Sequence, residues 1–310
     1  KNKIDSLLGP GMNIHRNPLN GRNFEYVSED PLVTGKISAA QVIGMQENGA
    51  APTIKHFCAN NQEASRRLVD SIVSERALRE IYLRGFEIAV KEGKARSVMT
   101  TYNPVNGIWT AGSYDLCTKI LREEWGFDGI IMTDWWAEAN IEGEKSKREN
   151  KAPMVAAQND IYMCVSNSEL NPENDNVKEK LESGEITRSD LQRNAKNILR
   201  FIMKSPSMLH ELGRISKEEL DEINKVDDND ILAENVVYYY ADKETNDVII
   251  DGSKFNNKKG SSEVFGISLN ELGLYDIEVT MKSEQGPLAQ LPLSVYYDNA
   301  LKTTITIRGT

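Results

Sequence analysis

Asp134 closes the short apolar run Gly129-Ile130-Ile131-Met132-Thr133 and is followed at once by Trp135 and Trp136. In a parallel α/β fold, functional side chains collect just past the carboxyl ends of strands. Other run ends in the chain carry a related mixture. Past Leu7-Leu8-Gly9-Pro10 lie His15, Arg16, Asn17, Asn20, Arg22, Asn23 and Glu25. The run Thr53-Ile54-Lys55-His56-Phe57 leads into Asn60-Asn61-Gln62-Glu63, and Ser97–Thr101 leads into Tyr102, Asn103 and Asn106. Asn159, Asp160 and Met163 accompany a fifth run. Fixed amides, cations and exposed rings around an isolated carboxylate suit a sugar. Hydroxyls need donors and acceptors at set points, and the C–H face of a pyranose packs on aromatic rings. A carboxylate so placed can attack an anomeric carbon.

Each residue also has an ordinary reading. Asp134 could cap a following helix, and Trp135 and Trp136 could be packing residues. Lys55-His56 could be a surface or core pair, Asn60–Glu63 a solvated turn, and Arg22 with Glu25 a salt bridge. The functional reading draws on all of them falling at the same kind of place. His210, Cys58, Cys117 and Cys164 carry no such signal.

The elements that must position these residues alternate between strand and helix patterns up to about residue 205, which implies a parallel sheet with helical crossovers. Ser74 and Ser113 stand as N-caps, and Thr187 with Asp190 forms a capping box. The helix it opens carries Leu191, Ala195, Ile198, Leu199 and Ile202 in one stripe. Five candidate strands are too few for a closed eight-stranded barrel, so either the sheet is open or the chain is part of a larger protein. From about residue 236 the apolar period becomes two, through Tyr275, Ile277, Val279 and Met281, then Leu293, Val295 and Tyr297, then Ile305 and Ile307. This predicts antiparallel strands in a small β-sandwich. The expected domains are 1–214 and 215–310, the second opening with an acidic helix at Ser216.

The 310 residues, 39% hydrophobic and 27% charged, describe a soluble globular chain with enough apolar side chains for a core. No run approaches the ~18 apolar residues of a membrane span. A net charge of −10, from 37 basic and 47 acidic residues, argues against nucleic acid as a partner. Three scattered cysteines and three scattered histidines form no metal pattern, and a reduced compartment, the cytoplasm by preference, is the simplest setting. No phosphate-binding glycine motif is present, and no metal or cofactor is expected.

At the residues singled out above, the sequence resembles glycoside hydrolase family 3, the β-glucosidase and exo-β-glucanase group. The resemblance runs through Leu8–Ile14, Gly21–Tyr26 with Ser28–Pro31, Ile54–Phe57 with Asn60–Glu63, Met99–Gly107, Trp125–Gly129 with Met132–Trp135, Asn159–Met163 and the Thr187–Ile202 helix. It implies a (β/α) barrel, here partial and TIM-like, followed by a jelly-roll-like sandwich. It also implies roles: Asp134 as catalytic nucleophile; Arg22, Lys55, His56, Met99 and Tyr102 as lining of the subsite for the non-reducing glycosyl unit; and Trp135 as an aromatic wall. Phe57 is followed by Cys58-Ala59-Asn60 rather than by the hexosaminidases' Pro-Gly-His, which favours the glucosidase branch. The implied reaction is retaining hydrolysis of β-glucosides or cello-oligosaccharides, with protonated His56, Lys55 or Arg22 keeping Asp134 ionised. Other readings are a β-xylosidase and a non-catalytic carbohydrate-binding protein. The first barrel strands and the domain bearing the acid/base Glu have no counterpart in the sequence, and Glu29, Glu63, Glu123 and Glu138 are poor candidates for that acid. The expectation is therefore a C-terminal portion whose partner is the remainder of the same enzyme, with homo-oligomerisation open.

Overall fold

The computed structural model describes residues 4–140, 143–164, 167–224, 237–245, 247–255, 263–270, 276–280, 290–297 and 300–308. The chain divides into two compact units, Lys1–Val226 and Asp227–Thr310.

The first unit is α/β. Its centre is a four-stranded parallel sheet in the order β1 (Ser6–Leu7), β2 (Ala51–Phe57), β3 (Ser97–Thr100), β6 (Ile130–Met132). Three of these strands match the expected runs; the first is shorter, and the fifth run is reduced to a single bridge, Met132 to Ile161. Strands buried on both faces read as continuous apolar stretches, and Ile54, Val98 and Ile131 pair across the sheet with no exposure. A short hairpin, β4 (Pro104–Val105) with β5 (Ile108–Trp109), lies between β3 and β6.

The helices pack on this sheet. α1 (Pro31–Glu47) has no counterpart among the expected elements, although its start is written plainly: Asp30 Oδ1 accepts from Leu32 and Val33 N–H, and Pro31 opens the first turn. Ser74 caps α2 (Glu75–Ala77), a wider turn follows over Leu78–Tyr82, and α3 (Arg84–Lys91) completes the crossover. α1 meets α3 closely at Gly35, where an added Cβ would lie 2.7 Å from Ile88 Cδ1. Ser113 Oγ accepts from Leu116 N–H at the start of the wide-turned helix Asp115–Glu124. Phe57 joins the layers, its ring edge-on to Phe86 at 5.3 Å and to Trp125 at 6.0 Å. Farther on lie α4 (Ala152–Ala156), α5 (Val177–Ser183) and α6 (Arg188–Ile202), the last opened by the Thr187–Asp190 capping box. α7 (Pro206–Glu211) and the acidic α8 (Lys217–Ile223) complete the unit. The acidic helix, placed by the sequence beyond residue 214, belongs with this first unit.

In the second unit, β7 (Val237–Tyr240) pairs with β8 (Phe265–Ser268), and β9 (Gln290–Tyr297) forms a hairpin with β10 (Ala300–Arg308). The hairpin is antiparallel as its period-two pattern suggests; β7 and β8 run parallel, a departure from the expected all-antiparallel arrangement. Residues 276–280, including Ile277 and Val279, form no strand. Tyr275 and Met281 lie outside the described residues.

Candidate active site

The end of β2 is shaped by Asn13. Its side-chain amide bonds both the N–H and the C=O of His56, each at 2.9 Å, and so takes over the groups a neighbouring strand would use. The β2–β3 register shifts between Ile54 and Phe57, at Lys55 and His56. Irregularities of this kind re-aim side chains beside functional sites. His56 is thereby held in the interior, only 2% exposed.

Two strands away, Asp134 follows β6 and is also buried, at 5% exposure. Its Oδ1 accepts the Trp135 N–H at 2.7 Å, and the Tyr102 hydroxyl donates to the same carboxylate. His56 Nε2 stands 3.7 Å from Asp134 Oδ2. Burial pushes the Asp134 carboxyl above the ordinary carboxylate value; the Trp135 N–H, the Tyr102 hydroxyl and the charges of Arg66 and Arg22 oppose that push. The same burial, with the Tyr102–Asp134 interaction, raises the Tyr102 phenol to about 12, so it remains a donor.

His56 corrects one expectation. Burial first, and then the charges of Arg22, Lys55 and Arg66, hold its pKa well below the ordinary histidine value. It is neutral, and the cationic support of Asp134 comes from arginine. Asn60 Nδ2 donates to the Tyr26 hydroxyl at 3.2 Å, and that hydroxyl lies 3.3 Å from His56 Nδ1. With the Tyr26 O–H donating, Nδ1 is an acceptor and the ring proton sits on Nε2, facing Asp134.

Arg22 and Lys55 share one carboxylate: Glu25 forms an ion pair with Arg22 and stands 3.6 Å from Lys55 Nζ. The salt-bridge alternative for Arg22 and Glu25 therefore holds together with proximity to Asp134. Met99 is buried on β3, 2% exposed. It pairs in register with Met132, two residues before Asp134, and packs with Ile130, Leu8 and Ile161. Trp135 is 39% exposed, its ring 6.4 Å from that of Trp136.

Two arginines were not singled out by the sequence. The guanidinium carbons of Arg66 and Arg67 lie 4.8 and 4.7 Å from the centroid of the Tyr102 ring. Arg66 also pairs with Glu63 at 2.8 Å, an i,i+3 spacing that was the available signal. Tyr26, the link between Asn60 and His56, was likewise missed, although it ends the Gly21–Tyr26 motif.

Several residues grouped at the strand ends serve the framework instead. Asp160 is a buried structural carboxylate: it pairs with Arg122 at 2.6 Å and accepts from Ile131 N–H and Asn197 Nδ2. Asn159 bonds Thr100 and the Ala111 carbonyl, and Asn106 bonds both backbone groups of Val73. Asn20 and Asn23 bond within their own loop. Arg16, Asn61, Gln62 and Asn103 line a neighbouring cavity of about 230 Å³.

The site is a buried carboxylate at the end of a parallel strand, ringed by a phenol, an imidazole and arginines, and comparison with known proteins gives the family. The chain belongs to glycosyl hydrolase family 3, whose N-terminal domain matches residues 1–201. Its relatives include a β-glucosidase of Ruminococcus albus, 50% identical over 309 residues, which cover 100% of this chain and 32% of that protein. Among solved structures, a β-glucosidase from Paenibacillus barengoltzii aligns with a TM-score of 0.65 and 43% identity, over 99% of this chain and 32% of that one. β-Glucosidase 3B from Thermotoga neapolitana in complex with α-D-glucose aligns with a TM-score of 0.60 and 40% identity, over 77% and 34%. The chain thus spans about a third of the length of these relatives.

Proposed function

We propose that this chain supplies the nucleophile and most of the glycosyl subsite of a retaining β-glucosidase that removes β-linked glucosyl units from non-reducing ends. The observation that carries the reading is the buried Asp134 carboxylate, hydrogen-bonded by Tyr102, faced by neutral His56 and within the field of Arg22 and Arg66. Resemblance to β-glucosidases, one of them bound to glucose, supports the choice of sugar. On this reading Lys55, His56, Arg22 and Tyr102 hold the glycosyl hydroxyls, Met99 underlies them, and Trp135 forms one wall.

In the first step Asp134 attacks the anomeric carbon while the aglycone C–O bond breaks, and a general acid protonates the departing oxygen. Water then displaces Asp134, giving up a proton to the same group acting as base. Burial deprives the carboxylate of water and raises its pKa, and the arginine field opposes that rise in favour of the charged form. Glu63 is committed to Asn60 and Arg66, and Glu138 to Ser146. The family resemblance, with the chain spanning about a third of its relatives' length, assigns the acid to a segment outside residues 1–310. On this reading the parallel sheet is a section of a (β/α) barrel that other segments of the longer enzyme complete. The expectation of a C-terminal portion finds no support, since the matching family domain is the N-terminal one.

The test uses the longer enzyme. Asp134→Gly should lose turnover of an aryl β-glucoside and, with added azide, yield the α-glucosyl azide. Turnover near the wild-type rate, or a β-azide product, would overturn the assignment.

A further inference from the structure

Glu63 has no assigned role, and the hydrogen bonds that start from it run farther than a local turn requires. Its two carboxylate oxygens serve different partners. Oε2 accepts from Arg66 Nη1 at 2.8 Å, and Oε1 accepts from Asn60 Nδ2 at 3.2 Å. The same Asn60 nitrogen donates to the Tyr26 hydroxyl at 3.2 Å, and that hydroxyl lies 3.3 Å from His56 Nδ1. Across the imidazole, Nε2 faces Asp134 Oδ2 at 3.7 Å. Asn60, Tyr26 and His56 are each 6% exposed or less, so bulk water does not replace a lost partner there.

An amide, a hydroxyl and a neutral imidazole each donate and accept, so the line from Asn60 to His56 runs equally well in either sense. A carboxylate only accepts, and Glu63 breaks the tie. It holds the Asn60 nitrogen toward itself, the amide donates to Tyr26, the Tyr26 O–H donates to Nδ1, and His56 keeps its proton on Nε2. The Asp134 carboxylate favours the same proton position, but 3.7 Å is longer than a hydrogen bond. Arg66 pins Glu63 from its other side, and the guanidinium carbon of that arginine lies 4.8 Å from the centroid of the Tyr102 ring, whose hydroxyl donates to Asp134. We propose that Glu63 is a positioning residue for the active site, setting the tautomer of His56 through Asn60 and Tyr26. The effect on turnover rests on the glucosidase reading, to which the inference adds a residue that touches neither His56 nor Asp134 and acts on both.

Glutamine has the shape of glutamate but also donates. In Glu63→Gln the amide oxygen stays on Arg66, a charge-assisted contact, and the amide nitrogen turns to Asn60. Asn60 then flips, Tyr26 donates to its Oδ1, and the His56 proton moves to Nδ1. Glu63→Asp only accepts and keeps the original order. The experiment labels histidine with nitrogen-15 in the longer enzyme and assigns His56 by the signals lost in His56→Gln. Wild type and Glu63→Asp should carry the proton on Nε2, and Glu63→Gln on Nδ1, with thermal melts as the check on folding. For an aryl β-glucoside, kcat/KM should fall on the order of tenfold to a hundredfold in Glu63→Gln, as a mismatched buried hydrogen bond implies, and recover much of that in Glu63→Asp. Tyr26→Phe cuts the same line at its last link and should also release the proton from Nε2, whether or not Glu63→Gln folds. A proton that stays on Nε2 in Glu63→Gln or Tyr26→Phe, or a kcat/KM indifferent to its move, would overturn the proposal while leaving the glucosidase reading standing. A wild-type enzyme inactive on the glucoside would remove that reading, and the role in turnover with it.

Discussion

Replacing Arg122 with methionine removes one half of the most enclosed ion pair in the first unit. The Arg122 and Asp160 side chains are 8% and 0% exposed and meet at 2.6 Å. Arg122 also donates to the carbonyls of Gly129 and Gln158, at 2.9 and 3.1 Å. Methionine preserves much of the volume and leaves Asp160 charged, with only Ile131 N–H and Asn197 as donors. Stranding a buried charge in this way costs roughly 3–5 kcal/mol. In a unit of this size that lowers the melting midpoint by about 6–20 °C. The pH dependence carries a sign. Burial already raises the Asp160 carboxyl above its ordinary value, and Arg122 is the largest influence opposing that rise. Without Arg122 the folded-state pKa climbs further. The added penalty is then fully present above that pKa and fades as pH falls through it, so the deficit should shrink on acidification from pH 7. Urea titrations of Arg122→Met, Asp160→Asn and the double variant across that range provide the assay. The double variant should be more stable than Arg122→Met alone. Additive costs, or a deficit independent of pH, would refute the buried-charge argument.

Three further outcomes follow from the same structure. Because burial raises the Asp134 carboxyl, kcat/KM should fall on acidification through an apparent pKa above the ordinary carboxylate value, with no added histidine inflection, since His56 is already neutral. Asp134→Asn should accordingly raise the melting temperature at pH 7 while abolishing turnover, the ionised group being the costly form above its unfolded pKa; a lower melting temperature would contradict this. Gly35→Ala should destabilise by roughly 1–3 kcal/mol through overpacking against Ile88 and the Gly85 backbone, and Ile88→Ala in the same chain should recover part of the loss. A denaturant midpoint unchanged by Gly35→Ala would show that the two helices separate freely.

What the sequence made legible was local. β2, β3 and β6 are apolar runs of strand length, and Ser74, Ser113 and the Thr187–Asp190 box act within a few residues of their own positions. Asp134, His56 and Tyr102 were found by one rule about strand ends, and the structure brings those three together. What escaped was decided at long range. Asp160 stands at a run end as Asp134 does, but its partner Arg122 arrives from a helix 38 residues earlier, which turns a candidate rim group into a framework group. The neutrality of His56 depends on burial and on cations from three separate places in the chain. α1 escaped because its buried positions, Thr34, Gly35, Ser38, Ala39 and Val42, are small or polar, while Leu32, Val33 and Ile37 face outward, so no apolar stripe betrays it. In the tail, period two marks strands but says nothing of which strand each one meets. That is why the parallel pairing of β7 with β8 was not foreseen.

The relay from Asn60 through Tyr26 to His56 ties the loop after β1 to the loop after β2 by hydrogen bonds between side chains. Loops built this way do not evolve independently. A change at Tyr26 alters which ring nitrogen of His56 holds its proton, and Asn60 then faces a partner it no longer fits. Laboratory evolution that varies one loop at a time should stall on such intermediates, whereas libraries that randomise Tyr26 and Asn60 together would reach combinations closed to single steps.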